Sequence, residues 1–86
     1  MYQIKLDKKI YNYLMSILKD EVIKENISLI VDAEVVTIQL DADTKLDLME
    51  YVEDKQLEIG FINQDYLNED GKKLQDIYDE LYYQTN

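Results

Sequence analysis

The sequence predicts an α+β fold in which helices cover one face of a small antiparallel sheet. Four segments show the alternation of apolar and polar residues that is typical of strands, and three show the periodicity of amphipathic helices. The chain has 86 residues, 47% of them hydrophobic, which is enough for one core but short for two domains. We therefore expect a single small acidic domain over 1–86.

A strand and a helix are predicted at the start of the chain. Tyr2, Ile4 and Leu6 alternate with polar residues, as in a strand with one buried face. From residue 8 to about 22 the apolar residues fall on one arc of a helix, and Asp7 is placed to be its N-cap. The arc consists of Ile10, Tyr13, Leu14, Ile17 and Leu18.

A β-hairpin is predicted next. Residues 27–31 form a short apolar run, and apolar and polar residues alternate over 35–40. The segment Asp32-Ala33-Glu34 between them suits a hairpin connection. One strand over 27–40 is the alternative, but it would exceed the usual length of roughly 3–10 residues.

The second half predicts helix, strand and helix. Asp41 or Asp43 caps a second helix that runs to about Lys55, and Asn68 or Asp70 caps a third. The inward residues of the second helix are Leu46, Met49 and Val52, and those of the third are Leu74, Ile77, Tyr78 and Leu81. Between the helices, the alternation of Leu57, Ile59 and Phe61 with polar residues and glycine predicts a fourth strand.

The predicted order is β-α-β-β-α-β followed by a helix, which matches the ferredoxin-like, split βαβ arrangement. In this arrangement the central hairpin contributes antiparallel pairing and two helices cover one face of the sheet. The residues expected to be most deeply buried are Leu14, Ile17, Ile38, Met49 and Leu74. This fold hosts many functions, so it does not by itself indicate an activity.

Composition and charge exclude several classes of function. Nineteen acidic residues against nine lysines give a net charge of −10, which repels nucleic acid backbones and anionic membranes. The absence of His, Cys and Arg removes imidazole and thiol chemistry, the usual zinc ligand sets and the bidentate arginine clamp for phosphate. Because the first residues follow a strand pattern rather than a targeting signal, we expect a cytoplasmic protein.

Catalytic and metal sites are not indicated. The segment from Asp41 resembles a calcium loop at first, but Lys45, Leu46 and Val52 occupy positions where the loop needs an oxygen ligand, a glycine and a glutamate. The serines have no histidine to activate them, and no glycine-rich phosphate loop is present. We therefore expect no enzymatic activity, no cofactor and no metal.

A row of carboxylates is predicted on the second helix. Asp43, Asp47, Glu50 and Asp54 have the spacing that places them on one face, away from the inward residues; we call them the acidic stripe. The stripe spans about 16 Å at ~1.5 Å per residue, over which one DNA strand carries about five phosphates. Four carboxylates therefore give a comparable density of charge. The alternative is an ordinary solvated face of an acidic protein.

The tyrosines provide a second candidate surface. Tyr11, Tyr13, Tyr51 and Tyr78 lie on or beside apolar arcs and are assigned to packing. Tyr83 instead projects from the polar side of the last helix, with Asp76 and Asp79, where it could anchor a protein partner. A frayed last helical turn is the alternative.

These features favour a non-catalytic protein-interaction module that binds a protein partner and can form a homo-oligomer, without direct contact to nucleic acid or membrane. The abundance of Ile, Lys, Asn and Tyr without Arg or Pro is typical of low-GC bacteria and their phages or mobile elements. In length, charge and its acidic helix, the chain is similar to phage-encoded anti-restriction and anti-CRISPR proteins. This resemblance implies the alternative function, a DNA mimic that inhibits a nucleic-acid-binding host protein.

Overall fold

The computed structural model describes residues 1–61 and 66–85 and confirms the α+β class. In this part of the chain, three strands form one antiparallel sheet that is packed with four helices. The elements are β1 (Tyr2–Asp7), α1 (Lys8–Ile17), α2 (Glu21–Glu25), β2 (Ser28–Val31), β3 (Val35–Leu40), α3 (Ala42–Ile59) and α4 (Glu69–Tyr83).

The sheet has the strand order β1-β3-β2, and β3 pairs antiparallel with both neighbours. The predicted hairpin is confirmed, since β2 ends at Val31 and β3 begins at Val35. One face of the sheet is buried beneath the helices. Its buried side chains are Ile4 and Leu6 of β1 and Val36, Ile38 and Leu40 of β3.

The predicted first helix over 8–22 is wrong as a single element, because the chain forms two helices there. Asp7 caps α1 as expected and accepts a hydrogen bond from the Ile10 N–H at 2.9 Å. Leu18 then adopts an extended conformation and is fully buried. Asp20, which the pattern placed on a helix surface, instead accepts from two backbone N–H groups and begins α2. This local cap competes with continuation of α1.

The predicted fourth strand is wrong, since Leu57 and Ile59 lie in the last turn of α3. No residue that favours a turn lies between the predicted helix and Leu57, and the first such residue is Gly60. Because extending a formed helix gains one hydrogen bond per residue, the helix continues to Ile59. Phe61 forms only an isolated bridge with Leu67. The ferredoxin-like topology is therefore not confirmed.

The inward face of α3 also differs from the prediction. Thr44, Leu48 and Val52 are buried, whereas Leu46 is 61% exposed. Apolar residues are scattered around this helix, so the sequence does not fix which side packs. Of the five residues expected to be deepest, Leu14, Ile38 and Leu74 are fully buried, while Ile17 and Met49 are half-buried at the margin of the core.

The two glycines hold α3 and α4 close together. A Cβ on Gly71 would lie 2.0 Å from the carbonyl oxygen of Gly60, a distance that no side chain tolerates. Asn68 caps α4 by accepting from the Gly71 N–H at 2.8 Å, and its own N–H donates to the Gly60 carbonyl at 2.8 Å. The Gln56 side chain donates to the Gly71 carbonyl at 3.1 Å. The α3–α4 turn is thus fixed by backbone contact.

The far end of α4 lies at the outer edge of β1. The side-chain amide of Gln84 accepts from the Lys5 N–H at 2.7 Å and donates to the Lys5 carbonyl at 2.8 Å. These are the two bonds that a further strand would make with Lys5. The β1 edge is therefore closed at its centre by a side chain.

Candidate protein-interaction site

The acidic stripe lies on the exposed side of α3. Asp43, Asp47, Glu50 and Asp54 are all exposed, and the buried residues of α3 lie on the other side of the helix. Asp41, one of the two predicted caps, accepts from the Thr44 N–H at 2.7 Å and fixes where the helix begins. That hydrogen bond holds the pKa of Asp41 below its ordinary value.

Three carboxylates of the stripe line a groove between α2 and α3. The groove has a volume of about 330 Å³ and is open to solvent. Its lining consists of Asp20, Ile23, Asp47, Glu50, Tyr51 and Asp54. Asp43 lies outside it, so the structure brings together three of the four predicted residues.

Asp20 is the member of this groove that the sequence did not reveal. Its position follows from the break between α1 and α2, which turns α2 toward α3. Tyr51 of α3 stabilises the break, since its hydroxyl donates to the Ile17 carbonyl at 2.8 Å and accepts from the Lys19 N–H at 3.0 Å. A cap signal at Asp20 is visible in the sequence, but the contact with α3 depends on the tertiary structure.

The second predicted surface is also assembled in one place. Asp76, Asp79 and Tyr83 line a groove of about 430 Å³ between α4 and the start of the chain. The other lining residues are Lys5, Leu6, Asp7, Ile10 and Glu80. Tyr83 is 71% exposed and contacts Tyr82 edge to face, with ring centroids 5.5 Å apart. The two grooves share no residue.

The four tyrosines that the sequence assigns to packing lie where expected. Tyr11, Tyr13, Tyr51 and Tyr78 are half-buried against the core. The Tyr13 hydroxyl donates to Asp70 at 2.9 Å and joins α1 to the start of α4. Burial, together with the hydrogen bond and charge of Asp70, raises the pKa of Tyr13 to about 12.

The acids of both surfaces are not used for internal ion pairs. Among residues 1–61 and 66–85, Lys55 and Glu58 form the one ion pair, at 3.5 Å. Three lysines instead lie over tyrosine rings: Lys45 over Tyr2, Lys55 over Tyr51 and Lys73 over Tyr13. The negative charge of the stripe is therefore presented to solvent.

The described surface presents exposed carboxylates, and the groove between α2 and α3 is lined mainly by them. Within the described ranges, no three acidic side chains converge in a way that could hold a metal ion. None of the helices seen there combines the length and hydrophobicity that crossing a membrane requires. No protein-family model matches the sequence, and neither a curated protein nor a solved structure matches it significantly.

Proposed function

We propose that the chain is a non-catalytic protein-interaction module whose α2–α3 groove binds a basic surface of a partner protein. The observation that carries this proposal is the convergence of four carboxylates on one groove without internal counter-charges among the described residues. These are Asp20, Asp47, Glu50 and Asp54. An arrangement of this kind attracts a cationic surface and speeds its encounter with the protein.

The Tyr83 groove contributes a different kind of contact in this proposal. Tyr83 provides an exposed ring beside Asp76 and Asp79, and such rings often anchor interfaces. Loss of the ring should shorten the lifetime of a complex, whereas loss of the stripe should slow its formation. Removing the Tyr83 ring and neutralising the acidic stripe therefore test two separate contributions, anchoring and electrostatic attraction.

The test compares three forms of the protein as bait in extracts of the cell that encodes it. One is the natural chain, and the second neutralises the stripe by D43N, D47N, E50Q and D54N. The matched control neutralises four exposed glutamates outside the groove: E25Q, E34Q, E53Q and E69Q. We expect the natural chain and the control to retain the same partner, which the stripe variant loses. A partner retained equally by all three, with all three folded, would contradict the proposal.

A DNA mimic is the second candidate, because the stripe repeats the charge density of one DNA strand over about 16 Å. This function predicts that duplex DNA competes with the protein for the same partner. It also predicts that affinity falls steeply as salt rises, because exposed charges are screened. A partner that binds the natural chain equally well in excess DNA would exclude mimicry and leave the general module.

A further inference from the structure

The edge strand β2 carries neither charge nor proline, two of the features that keep the edge of a sheet from pairing. In the described residues it has β3 on one side and no strand on the other. Leu29, Ile30 and Val31 are 46%, 52% and 62% exposed. The result is an uncovered apolar edge.

Two residues of β2 direct backbone groups toward the open side. The Asp32 N–H donates to the Val35 carbonyl at 2.9 Å, so these residues are a hydrogen-bonded pair of the hairpin. Because such pairs alternate along an antiparallel ladder, Ile30 bonds to β3, while the N–H and C=O groups of Leu29 and Val31 point outward. These groups can pair with another strand.

Apolar side chains lie on both faces of this edge. Leu29 and Val31 pair with Ile38 and Val36 and share their face of the sheet, but the helices cover them only in part. Ile30 lies on the opposite face. An open groove of about 210 Å³ adjoins β2 and is lined by Met15, Lys24, Ile27 and Leu29.

We propose that a second copy of the chain pairs with β2 around a two-fold axis, giving a homodimer with one continuous sheet. An axis perpendicular to the sheet places identical edges antiparallel and keeps both helical layers on the same side. With the axis at Ile30, Leu29 lies opposite Val31 of the second copy, and Ile30 lies opposite its own equivalent. The outward groups of Leu29 and Val31 then form four backbone hydrogen bonds.

The ends of the paired strands favour this register. Ser28 lies opposite Asp32 of the second copy, so that a hydroxyl meets a carboxylate. An axis at Leu29 would instead require Ile27 in the ladder, but its N–H already donates to the Lys24 carbonyl at 3.3 Å. The Ile30 axis therefore uses only groups that are directed outward.

Charge also fits a second copy at this edge. The net charge of −10 opposes self-association in general, but Lys24 lines the groove beside Leu29. In the antiparallel pair, the Lys24 end of one strand approaches the Asp32 and Glu34 end of the other. Glu21 and Glu25 lie at the same end as Lys24. The approach of Lys24 to Asp32 and Glu34 of the second copy is therefore the one attractive charge contact among the described residues that favours this orientation.

The size of the contact predicts a reversible dimer. A strand of four residues extends about 13 Å, and it covers less than the ~800 Å² per partner of a standard interface. We therefore expect dissociation on dilution, with a dissociation constant on the order of 10–100 μM. This inference does not depend on the function of the acidic groove.

The first test is sedimentation equilibrium over about 5 μM to 1 mM, a range that brackets this dissociation constant. The natural chain should move from 10.3 kDa toward twice that mass as concentration rises. I30K places two like charges opposite each other and should remain monomeric. The matched control L46K makes the same change at an exposed leucine of α3 and should dimerise normally. A natural chain that stays monomeric throughout, or I30K that dimerises normally, would overturn the proposal.

The second test is disulfide trapping, which is clean because the chain has no cysteine. Ile30 meets its own equivalent in a non-hydrogen-bonded pair, where side chains are closest, so I30C should form a covalent dimer under mild oxidation. S28C is the control, since Ser28 does not meet its own equivalent. Equal trapping of the two variants, or none at Ile30, would overturn the register. Pairing of β2 only with a different protein would overturn self-association.

Discussion

The two edge strands of the sheet differ in how far the rest of the chain covers them. At β1, α4 packs nearby, Lys5 supplies a charge and Gln84 binds the outward backbone groups of Lys5. At β2, the described residues provide no such cover, and three apolar side chains are exposed. The contrast shows that Gln84 occupies the outward backbone groups at the centre of β1, whereas no described side chain does so at Leu29 and Val31 of β2.

The comparison predicts its largest effect for two leucines on the same face of the sheet. Leu6 of β1 is 2% exposed and Leu29 of β2 is 46% exposed. L6A should lower the free energy of unfolding by about 2–5 kcal/mol, because it leaves a cavity beneath the helices. L29A should cost less than about 1 kcal/mol. Urea denaturation at low protein concentration measures both, and equal losses would show that the β2 edge is covered.

The next effect concerns the turn that sets the direction of α4 toward the β1 edge. In G71A the new Cβ would overlap the Gly60 carbonyl oxygen, so the helices must separate. Alanine gains about 1 kcal/mol of helix propensity, but we expect a net destabilisation of about 1–3 kcal/mol. K72A changes the next residue, which is exposed, and is the control. Its free energy of unfolding should stay close to that of the natural chain. If G71A were more stable than the natural chain, α3 and α4 could separate at this contact at little cost in free energy.

A smaller effect is expected when the β1 edge is opened. Q84A removes both hydrogen bonds to Lys5, which should cost about 1–2 kcal/mol and speed amide exchange at Lys5. Q3A changes an exposed glutamine of the same strand and serves as the control. Hydrogen exchange followed by NMR provides the measurement. Unchanged exchange at Lys5 in Q84A would mean that the edge is closed by something other than Gln84.

The smallest effect at neutral pH concerns the hydrogen bond from the Tyr13 hydroxyl to Asp70, at the start of α4. Because the pKa of Tyr13 is raised from 10.0 to about 12, its stabilising contribution is complete below pH 10 and is lost as pH rises toward 12. Absorbance titration should therefore show one tyrosine that ionises late. Y13F should remove that late step, and D70N should move it to lower pH. A late step that persists in Y13F would contradict this assignment.

Much of the fold could be predicted because its signals are local. Asp7, Asp41 and Asn68 were each among the predicted helix caps, and each accepts the expected backbone hydrogen bond. The hairpin was predicted at its correct place because the strands of 28–31 and 35–40 flank three polar or small residues. Capping and alternation depend on neighbouring residues and need no knowledge of the rest of the chain.

The errors arose where local signals were equivocal. Residues 57–61 alternate like a strand, but they follow a helix without an intervening break and extend it. Leu46 was placed inward because α3 carries apolar residues on several sides, and packing against the core selected Leu48 instead. The candidate site shows the same limit. The exposure of the stripe followed from its spacing, whereas the addition of Asp20 required the contact between α2 and α3.

The sequence by itself determined the start of α1, the hairpin, the excess of negative charge and the spacing that aligns the acidic stripe along α3. Each depends on residues within a few positions of one another, where hydrogen bonding and periodicity act directly. Only the tertiary structure decided which edge of the sheet is closed. Lys5 and Gln84 are separated by 79 positions, and their contact exists because packing of α4 brings its end to β1. Long-range proximity of this kind has no local signal, so β2 could be identified as the open edge only after folding.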